Sequence, residues 1–173
     1  DPNVPAILVR WYMSQGDMDA AQAFLKARAE GDTREVEDIV TYIRFLAEAQ
    51  DPETALAELE HILDGDPPEV KRLTALRASF RFDLGEPDAA IAEMEELLDG
   101  MEPSDERRSI MVMLAKMLDT TGNNVGARAL VEEVLEEDGS QPEALKMRAG
   151  WLIESDRTDE AIVALRSVLG SAP

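Results

Sequence analysis

The sequence predicts an all-α fold, a linear array of five helical hairpins with about ten antiparallel helices, and three observations carry that expectation. The first is a recurring joint. Gly85-Glu86-Pro87-Asp88-Ala89-Ala90-Ile91 is echoed by Gly16-Asp17-Met18-Asp19-Ala20-Ala21, Asp51-Pro52-Glu53-Thr54-Ala55, Gly122-Asn123-Asn124-Val125-Gly126-Ala127 and Asp156-Arg157-Thr158-Asp159-Glu160-Ala161. The second is a period: Ala21, Ala55, Ala90, Ala127 and Ala161 follow one another at 34, 35, 37 and 34 residues. The third is composition, with Ala and Leu plentiful and only 5% aromatic residues, which favours helix over strand.

The joint has a physical logic. A first helix ends near Leu84, Gly85 accepts the positive φ that such an ending needs, and Asp88 is placed to cap a second helix opening on Ala89 and Ala90. Small residues at that point let two helices touch closely. Counting from the alanines divides the chain 1–173 into a single array of hairpins at about 2–35, 36–70, 71–107, 108–141 and 142–173.

Each hairpin then reads as two amphipathic helices. The first carries Ile7, Leu8, Trp11 and Tyr12, then Ala21, Phe24 and Leu25, with Arg28 where later hairpins have an aliphatic residue. The second carries Ile39, Tyr42, Ile43 and Leu46, then Ala55, Leu59, Ile62 and Leu63, and stops at Pro67-Pro68. The third carries Leu73, Leu76, Phe80 and Leu84, then Ala90, Ile91, Met94, Leu97 and Leu98. Extra residues in Met101 to Glu106 read as a longer surface loop. The fourth carries Ile110, Met111, Leu114, Met117 and Leu118, then Ala127, Leu130, Val131, Val134 and Leu135. The fifth carries Leu145, Ala149, Leu152 and Ile153, then Ala161, Ile162, Leu165, Val168 and Leu169. The column Trp11, Phe45, Phe80, Met117 and Trp151 reads as the seam between successive first helices.

A helical hairpin of 34 residues with a fixed Ala, an apolar residue four later and a terminal Pro resembles the tetratricopeptide repeat. Ile39, Tyr42, Ile43, Leu46, Ala55, Leu59 and Pro67 match its spacing throughout, and Leu145, Ala149, Leu152, Ala161, Leu165 and Pro173 nearly so. The resemblance covers the whole chain and implies a right-handed superhelical solenoid acting as a protein-interaction scaffold. The chain departs from the pattern in lacking the first-helix Trp at its usual place, and at Arg77 and Arg148, where the family has a large aliphatic residue. A buried guanidinium needs an acid, so both are expected to pair with carboxylates on companion or preceding second helices.

The net charge of −20 and the absence of cysteine narrow the function. Such a chain is a poor ligand for nucleic acid or an anionic membrane, and it has no disulfide or thiolate metal site. No run approaches the roughly 18 apolar residues of a membrane span. The chain begins Asp1-Pro2-Asn3 without a Met and reads as a piece of a longer protein, with the compartment open between cytoplasm and bacterial periplasm or envelope. One histidine, His61, reads as a surface residue, and the carboxylate runs lack the glycine-punctuated loop of a calcium site. No phosphate loop, Ser-centred elbow or His-containing triad can be assembled, so no catalytic, cofactor or metal residues are assigned and the chain reads as non-enzymatic.

Charge is unevenly spread, about −1, −9, −5, −3 and −1 by hairpin with Asp1 supplying the remainder. The resemblance implies a concave wall of first helices, which here would present Arg10, Met13, Arg44, Arg72, Ser79, Phe82, Lys116, Lys146 and Ile153, with Glu37, Glu48, Asp83, Asp119 and Glu154 beside them. Spaced cations suit a peptide or protein partner bearing acidic residues; the same cations are also placed to pair with acids on adjacent helices. The Lys/Asn/Arg constellation of chaperone-clamping arrays is missing, since Ile7, Thr41, Leu76, Met113 and Met147 fill one of its columns. The alternative role is a structural spacer or oligomerisation arm, with weak self-association through the last helix, whose Ile162, Leu165, Val168 and Leu169 have no downstream residues to cover them.

Overall fold

The computed structural model describes residues 4–31, 33–65 and 67–170, with side chains from residue 5 to 166. Among them it forms ten α-helices: α1 Val4–Ser14, α2 Met18–Glu30, α3 Val36–Ala49, α4 Pro52–Leu63, α5 Val70–Asp83, α6 Pro87–Leu98, α7 Asp105–Thr120, α8 Asn124–Glu137, α9 Pro142–Glu154 and α10 Thr158–Gly170. They gather into two compact units, Asp1–Gly85 and Glu86–Pro173. In the first, α1 packs on α2, α2 on α3, α3 on α4 and α4 on α5; in the second, α6 packs on α7 and so on to α10.

The joints form as the sequence predicts, with one correction. Gly16, Gly85 and Gly122 adopt φ of +74°, +91° and +86°, and Asp156 takes the left-handed position at the last joint with φ 58°. Side-chain caps close α2, α4 and α8: Asp17 accepts from the Ala20 amide, Asp51 from Thr54 and Asn123 from Gly126. Asp88, however, does not cap α6. That helix opens two residues earlier than expected, at Pro87, whose fixed φ suits a first helical position, and Asp88 lies inside the first turn, where its charge favours the helix dipole.

The extra residues of the third hairpin are only partly loop. Ser104 accepts a hydrogen bond from the Arg107 amide at 3.1 Å and starts α7 at Asp105, so Asp105 and Glu106 lengthen that helix to 16 residues. The expected boundary between residues 107 and 108 falls inside its first turn.

Every one of the periodic alanines is buried: Ala21, Ala55, Ala90 and Ala127 at 0% exposure and Ala161 at 1%. A methyl group at each crossing brings the paired helices close, and larger apolar side chains fill the space around it. In the first unit the core joins Leu25, Ile39, Ile43, Leu46, Leu59 and Leu73, with Tyr42 among its largest fully buried side chains. In the second, Met111, Val112, Ala115, Val131, Val134 and Ala144 form a cluster against Leu98, Leu130 and Trp151.

The members of the aromatic column are covered to different degrees. Phe45 and Met117 are buried, and Phe80 packs against the first unit's core. Trp151 is half-buried and donates its indole N–H to Asp119 Oδ1 on α7 at 3.0 Å. Trp11 departs from the expectation: it is 54% exposed, its ring edge-on to Tyr12 at 5.2 Å.

Candidate partner-binding surfaces

In the first unit, Arg10 on α1 and Arg44 on α3 stand eleven residues before Ala21 and Ala55, the same place in each hairpin. Both are exposed, and neither meets a carboxylate at ion-pair distance among the described residues. Ser79 on α5 holds the equivalent place and is half-buried; its hydroxyl donates to the Ala75 carbonyl one turn back at 3.1 Å, which turns it toward its own helix. Arg72 is already engaged. Its Nη2 reaches Glu37 Oε1 at 2.5 Å and its Nη1 lies 3.5 Å from Glu69, and the bond to Glu37 chiefly raises the guanidinium pKa further. Phe82 is half-buried and Met13 is 44% exposed.

In the second unit, Lys116 on α7 continues the Arg10, Arg44 and Ser79 column, eleven residues before Ala127. Its ammonium lies 2.7 Å from Glu143 Oε2, and Lys146 binds the other oxygen of the same carboxylate at 2.6 Å. These two hydrogen bonds, Lys116 first, hold the Glu143 carboxyl down to about 2. Two cations sharing one anion leave a net positive cluster. Lys146 stands fifteen residues before Ala161, a register that the second, third and fourth hairpins fill with buried Val40, Ala75 and Val112; in α9 it is exposed. Ile153 is 52% exposed.

Of the acids assigned to the same wall, Glu37 serves Arg72 and Asp119 serves Trp151. Arg148 pairs with Glu132 of the preceding second helix, as expected, through one contact of 3.5 Å; it is less buried than expected, with 46% of its side chain exposed. Arg77 is half-buried. His61 is exposed, and among the described residues no three ligand-type side chains cluster to hold a metal.

Sequence reasoning missed two arrangements. One is a brace between the two ends of a hairpin: Arg107 at the start of α7 binds Glu133 and Glu137 of α8 at 2.7 Å each, while Arg108 reaches Asp105 and Glu137. The i, i+4 spacing of Glu133 and Glu137 opposite an Arg pair was the available signal. The other is an arginine-lined cleft around Trp151, where Arg128 of α8 lies with its guanidinium carbon 5.4 Å from the ring centroid.

The geometry has counterparts among solved structures. PilF of Pseudomonas aeruginosa superposes with a TM-score of 0.67 at 16% identity, over 99% of this chain and 76% of that one. A tetratricopeptide repeat protein from Parabacteroides merdae gives 0.64 at 18% identity, over 100% and 67%. MamA from Desulfovibrio magneticus RS-1 gives 0.60 at 13% identity, over 97% and 93%. The fold is that of a tetratricopeptide-repeat array. At these identities the likeness concerns the fold, in which the periodic alanine is buried in every hairpin and its apolar partner four residues on is buried in the first four. No family model matches the chain, and no curated protein matches it. Among the described residues of this tetratricopeptide-type chain, no helix is long and apolar enough to cross a membrane.

Proposed function

We propose that this chain is a non-enzymatic protein-interaction scaffold whose first helices receive an acidic peptide or protein segment. One observation carries the reading. Arg10 and Arg44 recur at the same register of consecutive hairpins, exposed and without a carboxylate partner among the described residues, in a chain with 37 acidic side chains against 17 basic ones. With that excess of acid, an unpaired exposed Arg at a repeating position is a donor left for another molecule. Guanidinium accepts carboxylate in two-point geometry, and the repeat sets the spacing of successive contacts.

The other members take lesser parts. Met13 and Phe82 offer apolar contact, and Lys116 contributes to the extent that a ligand carboxylate displaces Glu143. Arg72 and Lys146 are occupied and act mainly by shaping the local field, and Ser79 is turned toward its own helix. Arg10→Glu and Arg44→Glu should abolish capture of acidic partners from source-cell lysate while the helical melting curve stays unchanged. Capture equal to that of the parent protein would overturn the reading.

A second reading, a spacer or oligomerisation arm, rests on α10, where Ile162, Val163 and Leu165 are 43%, 68% and 36% exposed. Val168 and Leu169, expected on the same face, lie outside the described side chains. Concentration-dependent mass in light scattering that disappears with Val163→Asp, and persists in the Arg10 and Arg44 reversals, would favour it.

A further inference from the structure

The α8 side of α9 carries a cleft that the first-helix reading does not use. Arg128 on α8, Arg148 and Trp151 on α9, and Arg157 in the turn before α10 line it together with Glu132 and Leu152, around a volume of about 250 Å³. Three guanidinium groups gather around one indole in a chain that carries −20 overall. Glu132 and Glu160 meet two of these arginines and Asp119 meets the indole, so the three guanidinium charges are balanced overall, and the cleft is distinguished by how unevenly the acids engage them.

The three arginines differ in what they have left to offer. Arg157 is satisfied, since its Nε and Nη2 donate to the two oxygens of Glu160 at 2.7 and 2.6 Å. Arg148 meets Glu132 through a loose contact, Nε at 3.5 Å, and makes no hydrogen bond to a carboxylate among the described residues. Arg128 is exposed, lies against the Trp151 ring and meets no carboxylate at ion-pair distance among the described residues. The indole is itself held in place by Asp119 and packs against the second unit's core, and Arg128 lies over its ring, so a guanidinium without a carboxylate partner is fixed beside a half-buried apolar group. Arg148 follows Lys146 by two residues, about 200° around the helix, so the cleft and the lysine cluster occupy different sides of α9.

We propose that this cleft binds an acidic peptide segment of a partner protein, with a side-chain carboxylate taken by Arg128 and Arg148 and a neighbouring apolar side chain laid on Trp151. Planar guanidinium matches a carboxylate in two-point fashion, and the indole supplies the contact area that a lone ion pair lacks. The volume suits one or two side chains rather than a cofactor, for which sites run roughly 300–1,000 Å³. The site stands independently of the first-helix surface.

The chain has two tryptophans, so a proton–nitrogen correlation spectrum resolves two indole signals, assigned by Trp11→Phe. Titration with the blocked tripeptide acetyl-Glu-Leu-Glu-amide should move the Trp151 signal to saturation and leave Trp11 in place. The Gln-Leu-Gln counterpart and inorganic phosphate should leave both unmoved. Arg128→Gln or Arg148→Gln, both at exposed positions, should weaken binding by about tenfold or more, while Lys71→Glu, at an exposed position of the first unit, should not change it. A Trp151 signal indifferent to the acidic peptide, moved equally by the Gln peptide or by phosphate, or moved undiminished in both arginine variants would overturn the proposal.

Discussion

Replacing Glu143 with Gln removes the carboxylate that Lys116 and Lys146 share. In the folded protein that carboxyl is held at about 2 against an ordinary 4.5, with the Lys116 hydrogen bond contributing most and Lys146 next. A displacement of that size corresponds to ~3 kcal/mol at ~1.4 kcal/mol per pH unit. The side chains are not buried, though: Glu143 is 43% exposed, Lys116 50% and Lys146 56%, and water screens such pairs. The expected cost of Glu143→Gln at neutral pH is therefore ~1 kcal/mol or less.

The sign follows from linkage. A folded pKa below the unfolded one gives stabilisation that is complete above pH 4.5 and lost as the pH falls toward about 2. Urea unfolding of the parent and the variant, followed by circular dichroism from neutral pH down through that interval, should show the two curves converging. High salt should narrow the neutral-pH difference as well. A difference that holds constant with pH, or that ignores salt, would refute the shared ion pair. The change also frees two lysines, so an acidic peptide that uses Lys116 should bind Glu143→Gln more tightly than the parent.

Three further outcomes follow from packing and caps. Gly150→Ala in α9 should raise stability by ~0.5–1 kcal/mol, because its added methyl meets nothing within 4 Å; Gly126→Ala should fall short of that gain by ~1 kcal/mol, since there the methyl lies 3.0 Å from the Asn123 side chain that caps α8. Paired urea titrations would measure both. Leu59→Ala, at 0% exposure in the first unit's core, should cost ~2–5 kcal/mol, whereas Val125→Ala, at 83% exposure, should stay within ~0.5 kcal/mol. Ser104→Ala should cost ~1 kcal/mol by removing the cap of α7, and amide exchange should show the loss first at Arg107.

The sequence by itself determined the hairpins, because they are written in local chemistry. The glycine or aspartate at each joint, the side chains that cap the following helix and the alanine 34 to 37 residues on from the last are properties of short stretches, and each periodic alanine is buried where the period puts it. The misplacements were local too. Asp88 and Pro87 compete for the same helix start, and Ser104 is as good a cap as any loop residue, so which one opens the helix depends on a turn geometry that spacing does not specify.

Which cations are free was decided only by the tertiary structure. Arg44 and Lys116 occupy the same register of their hairpins, yet Lys116 finds Glu143 twenty-seven residues away and Arg44 finds no carboxylate among the described residues. Charge pairing between neighbouring helices depends on the lateral offset and rotation of each helix to within an ångström or two, and a repeat period does not carry that information. The cleft around Trp151 is a stronger case. Its arginines come from α8, α9 and the following turn, twenty-nine residues apart at the extremes, and the packing of α8 on α9 brings them to one ring.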